Sequence, residues 1–119
     1  MPRLDPAALM LAPRHRQMPL DLLRRQLPTA VAWAYGSRVN GDGHEASDLD
    51  LVVRNPTDLL SETEGLDELR DALVESSLPI RVDLIDWARI PEAFRREIER
   101  AYVVVREGGD VNGSPFSRA

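Results

Sequence analysis

Apolar residues recur along the chain at two spacings, one of three to four residues and one of two, and the way these alternate predicts the order of elements. Leu20, Leu23 and Leu27 stand at helical spacing behind Pro19 and ahead of Pro28, which predicts a short amphipathic helix over residues 19–26. Residues 30–35 are apolar, partly β-branched and aromatic, and they close on Gly36, as a buried strand does. Residues 48–54 alternate, with Leu49, Leu51 and Val53 on one face and Asp48, Asp50 and Val52 on the other. Asn55 and Pro56 end this second strand, and Leu66, Leu69 and Leu73, with Leu59 a further candidate, mark the stripe of the next helix. A third strand is expected over residues 80–85, and Pro91 followed by Phe94 and Ile98 gives a last amphipathic helix. Residues 102–105 form a final strand. This order implies an α/β (α+β) sheet with helices packed mainly on one face.

The flanks lack such patterning. Residues 1–17 carry prolines, arginines and one brief apolar stretch, and are expected as a flexible arm; residues 107–119, rich in Gly and Ser, are expected as a disordered tail. One domain over residues 18–106 remains between them.

Charge and composition narrow the function. With 15 basic and 20 acidic residues in 119, the net charge of −5 provides no global positive field for a nucleic-acid backbone, so direct nucleic-acid binding is not expected. The chain contains no cysteine, which removes disulfides, thiolate zinc sites and thiol nucleophiles and fits a reducing cytoplasmic setting. No run reaches the roughly 18 apolar residues of a membrane span, and the first 18 residues are too broken for a signal peptide.

Chemistry concentrates at three places. Asp48 and Asp50, two apart on a strand, project their carboxylates from one face with Cβ atoms roughly 6 to 7 Å apart. Like charges so placed repel, and a divalent cation between them offsets the repulsion; ligands that are all oxygen favour magnesium or manganese. With 11 aspartates in 119 residues about one Asp-x-Asp arises by chance, so the pair gains meaning from its apolar strand, where an unpartnered carboxylate is costly. Gly36-Ser37 follows the first strand, where glycine lets backbone N–H groups approach an anion and the serine hydroxyl can donate to a phosphate oxygen; it is also ordinary loop punctuation. Asp83 is another acid inside an apolar strand. Asp86 competes with it, but falls on the opposite sheet face where a helix begins, and is expected to cap.

Taken together, Gly36-Ser37, ten intervening residues and then Asp48-Leu49-Asp50 opening an apolar strand resemble the signature of the DNA polymerase β nucleotidyltransferase superfamily. The likeness is strongest to its minimal members, many of which are antitoxins paired with a HEPN-domain ribonuclease toxin. The resemblance implies a mixed sheet of about four strands, Asp48, Asp50 and Asp83 as ligands of two magnesium (or manganese) ions and as catalytic carboxylates, and Gly36 and Ser37 gripping the triphosphate of ATP. Arg38 is similar to a basic residue found there in relatives and is expected to touch phosphate. The implied reaction moves a nucleoside monophosphate, AMP by resemblance, to an acceptor hydroxyl with release of pyrophosphate.

The length leaves no evident acceptor domain, so a partner protein is expected to supply the acceptor. By resemblance this is a tyrosine of a cognate HEPN toxin. Two alternatives stand beside it: a non-catalytic module that neutralises its partner by sequestration, and a free-standing enzyme acting on a small hydroxylated molecule. His15 and His44 are expected to be solvent-exposed, the spacer after Arg38 a mobile loop, and Trp33, Tyr35, Trp87 and Phe94 core residues.

Overall fold

A computed structural model describes residues 3–41, 43–44 and 47–107. The elements run α1 (Pro13–Gln26), β1 (Val31–Tyr35), α2 (Ser37–Asn40), β2 (Leu49–Arg54), α3 (Leu66–Glu75), β3 (Val82–Asp86), α4 (Glu92–Glu99) and β4 (Val103–Arg106), with single 3-10 turns at Pro6–Ala8 and Trp87–Arg89. The four strands make one mixed sheet in the order β3-β2-β1-β4. β1 is antiparallel to both β2 and β4, and β2 is parallel to β3. The parallel pair needs a crossover, which α3 provides.

Strand alternation sorts the side chains into two apolar layers. On one face Ala32, Ala34, Leu49, Leu51, Val53, Leu84 and Val103 meet Leu23 of α1 and Leu66, Leu69 and Leu73 of α3. On the other, Trp33, Tyr35, Val52 and Trp87 meet Ile98 of α4. The alternation expected of residues 48–54 holds, since Leu49, Leu51 and Val53 belong to the first layer and Val52 to the second. The second layer ends in a stack in which Trp33 lies 3.8 Å from Tyr102, centroid to centroid, and the Arg54 guanidinium sits 3.9 Å above Trp33. Trp87 lies 4.5 Å from it as well, so the half-buried guanidinium rests against two aromatic rings.

Three expectations change. The first helix begins at Pro13, six residues early, with Pro19 inside it. Pro13 takes a first-turn position whose N–H has no helical partner, and the stretch after it is long enough that Pro19 interrupts a ladder already started. The segment before it, expected as a loose arm, is packed: Leu9 and Leu11 are buried in the first layer, and Leu4 donates its N–H to the Tyr102 carbonyl at 2.8 Å, extending the sheet beyond β4. Arg16 fixes its path with hydrogen bonds to the carbonyls of Leu11 (2.9 Å) and Leu9 (3.0 Å). Third, Leu59 lies outside α3 and is 39% exposed, as its distance from the Leu66 stripe allows. The expected C-terminal tail, apart from Glu107, lies outside the described residues. No helix among the described residues is long and apolar enough to cross a membrane.

Candidate active site

The register fixes the site before any side chain is considered. Tyr35 on β1 pairs with Asp50 on β2, and Asp50 pairs with Asp83 on β3. Residues directly opposite one another in neighbouring strands share a sheet face, at strand spacings of about 4.8 Å. Tyr35, Asp50 and Asp83 therefore form one row across the sheet, at the end where β1 finishes and β2 starts. Asp48 lies two residues before Asp50, just ahead of β2, near enough for its charge to act on Asp50. The structure brings together the three carboxylates singled out in the sequence, with the half-buried Asp50 flanked by the exposed Asp48 and Asp83.

Electrostatics reflect that crowding. The Asp50 carboxyl is pushed above its usual value, first by burial and then by the negative charges of Asp83 and Asp48. The Tyr35 hydroxyl is pushed upward too, first by burial and then by Asp50 and Asp83, which keeps it a neutral phenol. Among the described residues no group of three or more acidic or histidine side chains closes into a ready-made cage. The donor set is nevertheless all carboxylate, and the central member is destabilised as an anion by its neighbours, a deficit that a hard divalent cation would reverse.

Gly36 closes the row from the β1 side. Its backbone has φ 81° and ψ −154°, a region that side chains other than hydrogen rarely occupy, and a Cβ built there would lie 2.5 Å from an Asp50 carboxylate oxygen. Both the turn and the approach to Asp50 thus require glycine. Gly36 also starts α2: its carbonyl accepts from the N–H groups of Val39 (2.9 Å) and Asn40 (3.0 Å), with Ser37 half-exposed in the first turn. The spacer expected as a mobile loop therefore opens as a helical turn, and later it doubles back so that a Cβ on Gly43 would meet the Ser37 carbonyl oxygen at 2.9 Å. His44 is exposed, its N–H donating to the Ser47 hydroxyl at 2.9 Å, while His15 is half-buried. Asp42 and Glu45, which share the spacer, lie outside the described residues.

Arg38, expected to touch phosphate, is buried. It is only 4% exposed, and its guanidinium donates to the carbonyls of Met10 (2.6 Å) and Ser47 (2.9 Å). Met10 in turn donates its N–H to the Arg38 carbonyl at 2.7 Å. Arg38 thus lies beneath the turn, tying the N-terminal segment and the spacer to α2. Replacing it with methionine keeps length and removes the donors from two part-buried hydrogen bonds. Arg38→Met is expected to cost about 2 to 4 kcal/mol and to lower the unfolding temperature on the order of 10 °C in a thermal melt.

Asp86 takes the capping role expected of it. Its carboxylate accepts from the Ala88 N–H at 3.4 Å, starting the Trp87–Arg89 turn, and from the Thr63 N–H at 2.8 Å, anchoring the loop ahead of α3. It pairs with Val53, one position out of phase with the row, so it leaves the opposite face. Tyr35 is buried as expected, but its place in the row was not read from the sequence. Its position immediately before Gly36, at the last residue of β1, was the available signal.

The sheet order and the carboxylate row fit a nucleotidyltransferase. The chain belongs to the polymerase beta nucleotidyltransferase family, whose profile (Polymerase beta, Nucleotidyltransferase) matches residues 20–107. It is 44% identical over 88 residues to a probable protein adenylyltransferase, MntA, of Haemophilus influenzae, covering 72% of this chain and 74% of that protein. Among solved structures it resembles one described as the crystal structure of the toxin-antitoxin with AMP-PNP. The TM-score is 0.62 and the identity 21%, over 80% of this chain and 74% of that one, which is a likeness of fold.

Proposed function

We propose that this protein is a protein adenylyltransferase that acts as the antitoxin of a toxin–antitoxin pair, transferring AMP from ATP to a tyrosine hydroxyl of a cognate HEPN-domain toxin. The observation that carries the reading is the row of Asp50 and Asp83, with Asp48 beside it, under a glycine turn that leaves no room for a side chain. The 44% identity to a probable protein adenylyltransferase supports the choice of a protein acceptor.

In this reading Asp48, Asp50 and Asp83 hold two magnesium ions, and Gly36 and Ser37 hold the triphosphate. Bound there, the ions supply charge stabilisation for the attacking and leaving oxygens of an in-line displacement. Asp83, exposed on β3 at the sheet edge, is reachable by an incoming protein and accepts the proton of the acceptor hydroxyl. The acceptor oxygen then bonds to the α-phosphorus as the bond from that phosphorus to the β-phosphate bridge breaks, and pyrophosphate leaves. Positioning and charge provide most of the rate in such transfers, so few side chains suffice.

The test is co-expression with the candidate toxin, followed by intact-mass and peptide mass spectrometry of the toxin. An adenylyl-sized increase on a tyrosine, absent with the Asp48→Asn, Asp50→Asn double variant, is the expected result. A toxin neutralised equally by that variant, and unmodified by the wild type, would replace transfer with sequestration.

A further inference from the structure

We propose that Phe94 is a specificity-determining residue whose ring stacks on a planar aromatic group of the substrate. The proposal rests on the reading of the carboxylate row as the nucleotidyl-transfer site. Phe94, expected in the core, is instead 37% exposed, while Ile98 one turn later on the same face of α4 is 2% exposed and packed in the layer of Trp33 and Trp87. The helix thus steps from the buried interior of the sheet face up to its catalytic end and leaves Phe94 at the rim.

A single exposed apolar residue is ordinary on any surface. Its neighbour is what gives this one meaning. The Phe94 ring stands perpendicular to Tyr35, 82° between planes and 5.8 Å between centroids. Tyr35 is the member of the row next to Asp50, close enough for its hydroxyl to feel both Asp50 and Asp83. The perpendicular contact with Tyr35 holds the Phe94 ring at the Tyr35 end of the row, and the residue remains 37% exposed there. Around so much negative charge, this neutral aromatic wall offers a flat apolar surface within reach of a substrate whose phosphate lies over Asp50. Two parts of the proposed reactants have matching chemistry: the nucleobase of the triphosphate and the phenol ring of the acceptor. Either would stack on Phe94 while the reacting phosphorus lies at the row.

The experiment is isothermal titration of the full chain with magnesium. AMP-PNP and tripolyphosphate are titrated in turn, and N-acetyl-tyrosinamide is titrated into protein saturated with AMP-PNP. Phe94→Leu retains apolar bulk and removes the ring; Phe94→Trp restores a ring. For a base on Phe94, the leucine variant binds AMP-PNP about tenfold more weakly, binds tripolyphosphate unchanged, and is rescued by tryptophan. For a phenol on Phe94, nucleotide affinity holds and N-acetyl-tyrosinamide binding falls instead. If neither probe weakens in Phe94→Leu, the proposal is overturned, while AMP-PNP binding that requires Asp50 leaves the nucleotidyl-transfer reading standing. A wild type that binds no AMP-PNP overturns both.

Discussion

Asp50→Asn is expected to abolish transfer and at the same time to make the metal-free protein more stable. The loss of activity follows from the place of Asp50 at the centre of the row, with Asp83 opposite and Asp48 two residues before it. Charge stabilisation by a bound ion is worth several kcal/mol in such reactions, and at about 1.4 kcal/mol per factor of ten its loss removes about three orders of magnitude in kcat. The gain in stability follows from the same crowding. Burial and the neighbouring carboxylates raise the Asp50 carboxyl above its usual value of 3.8, so in the window above that value the folded chain binds more protons than the unfolded one. Stability contributed by this group is therefore present below the usual value and lost as the pH rises through the folded one. Above the folded value the wild type bears that penalty, and the neutral amide does not.

Thermal melts in chelator across pH 3 to 8 check both halves. The variant should melt above the wild type at neutral pH, and the gap should close as the solution is acidified toward the usual carboxylate range. Magnesium should raise the melting temperature of the wild type and not that of the variant, because an ion that binds only the folded state stabilises it by mass action. A variant less stable than the wild type in chelator would show that Asp50 is held by partners that favour its charge, contrary to the raised carboxyl.

Much of this was legible in the chain because periodicity and chemistry coincide. The alternation through residues 48–54 assigned Asp50 and Val52 to one face, and the sheet register then placed Asp83 rather than Asp86 beside Asp50, by the two-residue period that separates the faces. Asp86 was readable as a cap for the same reason. What stayed hidden depends on contacts distant in sequence. Arg38 read as a phosphate ligand because it follows Gly36-Ser37, and that spacing gave no sign of its hydrogen bonds to Met10, 28 residues away, and to Ser47. The packing of Leu9 and Leu11 was likewise invisible, since three residues of alternating burial are too few to give a period. Phe94 shares its helical stripe with Ile98, and spacing alone cannot say that the helix outruns the layer it covers.

Gly36→Ala tests how far the site depends on backbone rather than side chain. Alanine at φ 81°, ψ −154° is strained by about 1 to 3 kcal/mol before any contact is counted. The contact makes relaxation harder, because the added Cβ would lie 2.5 Å from the Asp50 carboxylate oxygen, and moving away means rotating Asp50 out of the row or shifting the end of β1. Rotation spares the fold and destroys the site; a shift of β1 disturbs its five-residue pairing with β2 and loosens the sheet. The expected result is a fall in unfolding temperature on the order of 5 to 15 °C, together with loss of magnesium-dependent AMP-PNP binding. The pairing of the two losses is what separates Gly36 from its neighbours. Ser37→Ala, half-exposed and in a relaxed helical turn, should lower nucleotide affinity with little change in melting. Should Gly36→Ala melt like the wild type and still bind AMP-PNP, the turn would be more pliable than its dihedral angles imply, and the close approach to Asp50 would have no part in shaping the site.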